Sequence, residues 1–299
     1  KMKNKVFLLT SCHNEKDTIL SLLKTLENQT YKYTEIIVVD DGSTDGTLET
    51  IKKKYSKITV IKGDGDLWWT GSLVKGINYI LRFAKITDYI LTINSDCEVK
   101  TDFVTNLIKS ANSHPKSIIG STIIDIKSNK IFDAAISRDW SQGKFHKQLS
   151  KDKKRYLSSE FLSTKGVIYP IKVFKKIGSF NHKHLPHYLS DYEFSCRARK
   201  AGFKLLVDTK SKVFNHIDRT GIGNIVPNVI SFADFFQLLF SRKSRINISD
   251  HFHLINVCCP RKYKFKNYLI ILIKSLYLFT NIGILGKISL PVKKFHRQT

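Results

Sequence analysis

Acidic residues are scarce in this 299-residue chain: 25 Asp and Glu stand against 50 Lys and Arg, a formal charge of +25. That imbalance favours an acidic partner, whether nucleic acid, anionic lipid or a phosphorylated substrate. No Arg-rich block, aromatic RNA-binding signature or Cys/His finger spacing accompanies the charge, so nucleic acid is not expected. Cysteine is sparse and odd in number. Cys12, Cys97, Cys196, Cys258 and Cys259 include no Cys-x-x-Cys pair, which argues against a disulfide framework or a zinc knuckle and for a reducing compartment. Long apolar runs are missing near the start. Val6 to Thr10 passes straight into a polar turn, too short for the core of a secretory signal, so a cytoplasmic chain is expected. The length suffices for one substantial core and a smaller appended unit.

What the chain does have is a sharp local signal. Ile36-Ile37-Val38-Val39 carries no polar residue to mark a wet face, as suits a parallel strand covered on both sides. It runs into Asp40-Asp41-Gly42-Ser43-Thr44-Asp45-Gly46, where glycine permits a tight turn and Ser43, Thr44 and Asp45 can cap a helix bearing Leu48, Ile51 and Tyr55. A capped turn alone would read the same way. Upstream, Val6 to Thr10 forms a second strand, and Ser11-Cys12-His13-Asn14-Glu15 leads into a helix with Ile19, Leu22, Leu23 and Leu26 on one face. Ligands bind where such parallel strands end.

Ser11 to Asn14, Leu22 through Gln29-Thr30 and Glu35 through Asp45 together resemble the opening of family 2 glycosyltransferases. The resemblance implies a GT-A α/β fold, with a Rossmann-like nucleotide-binding half, an acceptor half and a mixed central sheet. It implies inverting transfer from a nucleotide-sugar, a UDP-sugar as first guess, to a saccharide or lipid-linked acceptor in surface-polysaccharide synthesis. Ser11, Asp40, Asp41 and Asp66 would then hold the donor. The family often has Arg-Asn before a glycine where this chain has Val74-Lys75-Gly76, leaving Lys75 as a substitute contact to phosphate.

Further along, Ile58 to Ile61 and Tyr89 to Ile93 read as strands, and helices carry Leu73, Ile77, Leu81 and Ala84, then Phe103, Leu107 and Ile108. Gly63 to Gly71 holds the pair Trp68-Trp69, whose rings can stack on a ligand or cap the core. After the second strand stands Asn94-Ser95-Asp96, where the resembled family has Asp-x-Asp. A departing diphosphate needs positive charge, which a cation on carboxylate oxygens can supply. The resemblance implies Mn2+ or Mg2+ on Asp96 and His216, with Asn94 on the donor. Ile118 to Ile126 resumes β structure, and the basic Gly143 to Tyr156 reads as a mobile loop.

The acceptor half resembles Lys165-Gly166-Val167, then Gly178-Ser179-Phe180, then Ser190-Asp191-Tyr192-Glu193 opening a basic helix that ends at Gly202. The family's Glu-Asp pair matches Ser190-Asp191, which makes Asp191 the general base that accepts the acceptor hydroxyl proton. Trp69, Gly166, His187, Tyr188 and Glu193 fall on the acceptor side. His182, His184 and His187 fit no standard zinc spacing.

The resemblance covers roughly residues 5–218, giving an expected catalytic domain over 1–218 and a helical extension over 219–299. From His251 onward there are nine Lys or Arg and no acid, around the apolar run Tyr268 to Leu285. Three placements stay open for it: peripheral docking on the anionic inner face of a cell membrane, packing on the core or a sister copy, or a true span. Two other functions also stay open, a non-catalytic polysaccharide- or membrane-binding relative and a nucleotidyltransferase.

Overall fold

The computed structural model describes residues 4–148, 154–217 and 232–283. The chain divides into two compact units, Lys1–Asp139 with Lys144–His216, and Trp140–Gly143 with Ile217–Thr299.

The first unit begins with strict alternation: β1 (Val6–Cys12), α1 (Lys16–Glu27), β2 (Thr34–Asp40), α2 (Thr47–Lys54), β3 (Thr59–Lys62), α3 (Trp68–Ile80) and β4 (Tyr89–Thr92). It continues through β5 (Cys97–Val99), α4 (Phe103–Ser113), β6 (Ser117–Asp125), β7 (Ile131–Asp133), β8 (Ala135–Asp139), β9 (Lys144–Gln148) and β10 (Tyr156–Ser158). It closes with β11 (Val167–Pro170), α5 (Ile171–Ile177), α6 (Ser190–Lys200) and β12 (Lys204–Asn215). The central sheet runs β10-β12-β6-β11-β4-β1-β2-β3, with β5 on β12 and β7 on β6. β3, β2, β1 and β4 are parallel. β11 enters antiparallel between β4 and β6, which makes the sheet mixed.

The unbroken apolar runs are explained by burial on both faces. Val6 and Leu8 of β1 meet Ile19, Leu22 and Leu26 of α1 and Phe103 and Leu107 of α4. Their neighbours Phe7 and Leu9 point the other way, into Leu73 and Ile77 of α3, Phe174 of α5 and Phe194 of α6. Two local expectations need correction. α3 stops at Ile80, so Leu81 and Ala84 pack on the core from beyond the helix. The basic stretch after Gly143 is not a loop throughout: Lys144–Gln148 is β9, paired with β8, and Tyr156–Ser158 is β10. Residues 149–153 of it lie outside the described residues.

The second unit contains α7 (Phe232–Phe240), α8 (Ile248–Cys258) and α9 (Arg261–Gly283). Asn247 caps α8: its Oδ1 accepts from Ser249 N at 2.9 Å and Asp250 N at 3.3 Å. α9 buries Asn267, whose Nδ2 donates to Trp140 O at 2.7 Å. Its opposite face leaves Phe265, Leu269, Leu272, Ile273 and Leu276 exposed, Phe265 to 75%. Among the described residues no helix is long and apolar enough to cross a membrane. Residues 284 and 285 of the apolar run lie outside them.

Candidate active site

Parallel pairing brings the C-terminal ends of β1 to β4 to one edge, and each hands over to a polar loop. The loops are laced together. Asn14 Oδ1 accepts from Thr44 N at 2.7 Å, and Asp45 accepts from Lys16 N at 3.2 Å and Thr47 N at 3.0 Å. Ser11 and Asp40 are buried at the ends of β1 and β2, and the Ser43 hydroxyl donates to Asp40. Both Asp41 oxygens are engaged, by Gly65 N at 2.9 Å and Trp68 N at 2.9 Å, so this side chain shapes the third loop. That loop passes close: a Cβ on Gly63 would fall 2.3 Å from Asp41 Oδ1. Asp66, exposed, accepts from Trp68 Nε1 at 2.7 Å, and Lys75 is exposed on α3.

Beyond β4 the chain turns through Asn94 and Asp96 into β5. The pairing of β5 with β12 sets His216 beside Asp96, with His216 N donating to Asp96 O at 3.2 Å. Asn215, fully buried, donates from Nδ2 to Asp96 O at 3.1 Å, and its Oδ1 accepts from Lys165 Nζ at 2.7 Å. Lys165 Nζ also lies 3.8 Å from Asp96 Oδ2. His216 Nε2 is 3.7 Å from Glu98 Oε1, which also accepts from Ser21 Oγ. Among the described residues no group of three or more His, Cys, Asp or Glu could hold a metal ion. The donor set nevertheless suits a hard cation that takes further oxygens from a ligand. Asp96 and His216 are adjacent, and Asn94 Oδ1 on the same turn is buried without a hydrogen-bond partner.

The residues expected on the acceptor side gather at the start of α6. Asp191 sits in its first turn, where Tyr192 N donates to Oδ1 at 2.9 Å. Burial pushes its carboxyl up to about 6, partly offset by backbone N–H donors that include Thr164, while Asp133 adds repulsion. Ser190, where the resembled family has Glu, is 1% exposed and accepts from Thr70 Oγ1 at 2.8 Å. A carboxylate there would be buried against the Thr70 hydroxyl. Thr70 N also donates to Pro186 O at 3.0 Å, so α3 and α6 are fastened at their starts. Trp68 and Leu189, beside that fastening, both hold positive φ, at 59° and 63°. Non-glycine residues so held cost on the order of 1 kcal/mol each and cluster at working sites.

His187 stacks edge-on with Trp68 at 5.7 Å and with Tyr188 at 4.4 Å. Its Nδ1 is buried without a partner, and burial pushes the imidazole down to about 4, so it is neutral at physiological pH. Trp69 packs against the core. Glu193 is clamped by Arg197 at 2.7 and 2.9 Å, and Arg197 also donates to Ile177 O and Ser179 O. Gly166 has φ +73°, and a Cβ there would lie 2.4 Å from Val213 Cγ2. It pins the turn through Gly166 N to Thr92 O at 2.9 Å.

Three participants carried no assigned role in the sequence. Lys165 stands inside the acceptor motif yet reaches across to Asp96. Asn215 is an ordinary strand residue by pattern. Asp133, buried at the end of β7 beside Lys147 at 3.8 Å, gives no signal beyond a polar residue closing a short apolar run.

Parallel strands ending in acidic loops, the reversed strand β11 inserted between β4 and β6, and an acidic helix start define the class as the GT-A fold. Residues 8–178, more than half of the chain, match the model for "Glycosyl transferase family 2", and the chain belongs to that family. It is 36% identical over 104 residues to UDP-Glc:alpha-D-GlcNAc-diphosphoundecaprenol beta-1,3-glucosyltransferase WfaP of Escherichia coli, a match covering 34% of this chain and 39% of that protein. The chain thus spans well under half the length of this curated relative. Among solved structures, GalNAc-T7 with UDP, GalNAc and Mn2+ aligns with a TM-score of 0.60 at 15% identity, covering 94% of this chain and 58% of that one. S. aureus TarS 1-349 in complex with UDP-GlcNAc aligns at 0.57 and 16% identity, covering 97% and 76%.

Proposed function

We propose that the protein transfers a sugar, with inversion, from a nucleotide-sugar, a UDP-sugar first, to a saccharide or lipid-linked acceptor in surface-polysaccharide synthesis. The observation that carries this reading is the turn at residues 164 and 165. Thr164 N supports Asp191 while Lys165 Nζ faces Asp96, so a base and a leaving-group carboxylate are held by consecutive residues. In a direct displacement the acceptor oxygen bonds to the anomeric carbon as the bond to the diphosphate oxygen breaks, and the hydroxyl proton passes to Asp191. Ser11, Asp40, Asp41, Asp66, Lys75 and Asn94 are assigned to the donor, Asp41 through the loop it shapes. Trp69, Gly166, His187, Tyr188 and Glu193 are assigned to the acceptor side, Gly166 and Glu193 through the backbone and helix they hold. A divalent cation held by Asp96 and His216 would supply positive charge to the departing diphosphate. GalNAc-T7, of the same fold, was solved with Mn2+, and TarS with UDP-GlcNAc.

The catalytic domain is assigned to 1–218 and the helical extension to 219–299, the latter serving a peripheral position on the inner, anionic face of the cell membrane. Support comes from α9, which has five basic residues, no acid and an exposed apolar face. WfaP is named for a diphosphoundecaprenol-linked acceptor, a lipid that such a position would meet. The test is a screen of UDP-sugars for UDP release with and without lipid-linked saccharide and Mn2+. Release that depends on acceptor, with a product of inverted anomeric configuration, is expected. A protein that binds donors without releasing nucleotide under any of these conditions would be a binding relative instead.

A further inference from the structure

We propose that Lys165 is a resident counter-ion of Asp96, which a divalent cation must displace to take the leaving-group site. This rests on the transferase reading only in naming that site. The Lys165 and Asp96 side chains are 15% and 12% exposed, so their attraction is weakly screened. The ammonium is aimed there by structure on both sides. Gly166 fixes the backbone beside it, and Asn215 binds the ammonium through Oδ1 and the Asp96 backbone through Nδ2. With Asn94 in the position of a second acid, Asp96 and Lys165 form a neutral pair; a neighbouring carboxyl, Glu15, accepts from Ser95 Oγ at 2.6 Å, and burial together with Asp96 disfavours its charge. A doubly charged ion approaching this pair gains one carboxylate and is repelled by one ammonium. The diphosphate of a donor adds the missing negative charge, so cation uptake is coupled to nucleotide. Once displaced, the ammonium still has Asn215 Oδ1 and the buried Asp133, whose carboxyl is raised by burial and lowered in part by the Lys147 and Lys165 charges.

The experiment titrates Mn2+ alone into the full chain by calorimetry, comparing wild type with Lys165→Gln and Lys165→Met. Gln keeps a donor for Asn215, so it remains interpretable if the Met variant unfolds. Thermal melts establish folding first. Both variants should bind Mn2+ about tenfold more tightly than wild type, or tighter still, since a like charge beside the site is gone. Adding Asp96→Asn to Lys165→Gln should abolish that gain. Equal or weaker Mn2+ affinity in the folded variants, or no uptake by any of the proteins, would overturn the proposal. Failure of the transferase reading would show separately, as wild-type protein that releases nucleotide from no UDP-sugar.

Discussion

At the scale of single residues, Asp191 carries the sharpest expectation. Asn in its place is nearly isosteric but accepts no proton, so transfer should fall by about a hundredfold or more while donor binding persists. Lost donor affinity with transfer retained would move Asp191 to the donor site. Wild-type transfer should drop as pH falls through about 6, where the base becomes protonated. A rate flat from pH 5 to 7 contradicts that role. Stability runs the opposite way. The folded carboxyl is raised to about 6 from an ordinary 3.8, so the folded state binds more protons between these values and stability declines as pH rises through them. Asp191→Asn should therefore melt higher than wild type at pH 8, with the gap shrinking towards pH 4. A gap independent of pH would mean the carboxyl is not desolvated.

At the scale of elements, the approach of the β3 loop to Asp41 is testable. Gly63→Ala places a methyl 2.3 Å from Asp41 Oδ1 and 2.8 Å from Asp41 Cα, and backbone cannot yield as a long side chain does. UDP affinity should weaken about tenfold, the usual scale of 1–3 kcal/mol for overpacking. Unchanged affinity would separate this loop from the donor. The same elements show what the sequence could reveal. β1, β2 and α1 were legible because burial on both faces leaves uniform apolar runs and a helical stripe such as Ile19, Leu22, Leu23, Leu26. β9 was not, because Lys144 to Gln148 is exposed along its whole length and no buried face imprints a period. Asp41 and Glu193 were legible as acids at a strand end and a helix start, but their engagement by Gly65, Trp68 and Arg197 depends on chain folding that no local spacing encodes. Lys165 and Asn215 meet Asp96 from 50 or more residues away in sequence, through the sheet alone.

For the whole molecule, charge and the α9 face act together. Leu269→Asn with Ile273→Asn and Leu276→Asn should weaken binding to phosphatidylglycerol vesicles and leave donor hydrolysis unchanged. Raising salt should weaken the wild type too, since the electrostatic part is screened over about 8 Å at physiological ionic strength. If the triple variant bound vesicles normally but lost mass in solution, that face would be a contact between copies. The reversed strand has a separate consequence, for synthesis of the chain. β4 and β6 flank β11, yet both leave the ribosome before Val167 does. Until Pro170 emerges, the nascent sheet has a gap at its centre, bordered by two apolar strands whose backbone groups are unpaired on the facing sides. Fragments ending just before residue 167 should therefore aggregate or be held by chaperones, whereas those extending past β12, which covers the other edge of β6, should dissolve. β11 is thus also the strand that follows directly on the turn joining Asp191 to Asp96: the parallel β3-β2-β1-β4 half of the sheet cannot be joined to β6 and β12 before that turn is in place.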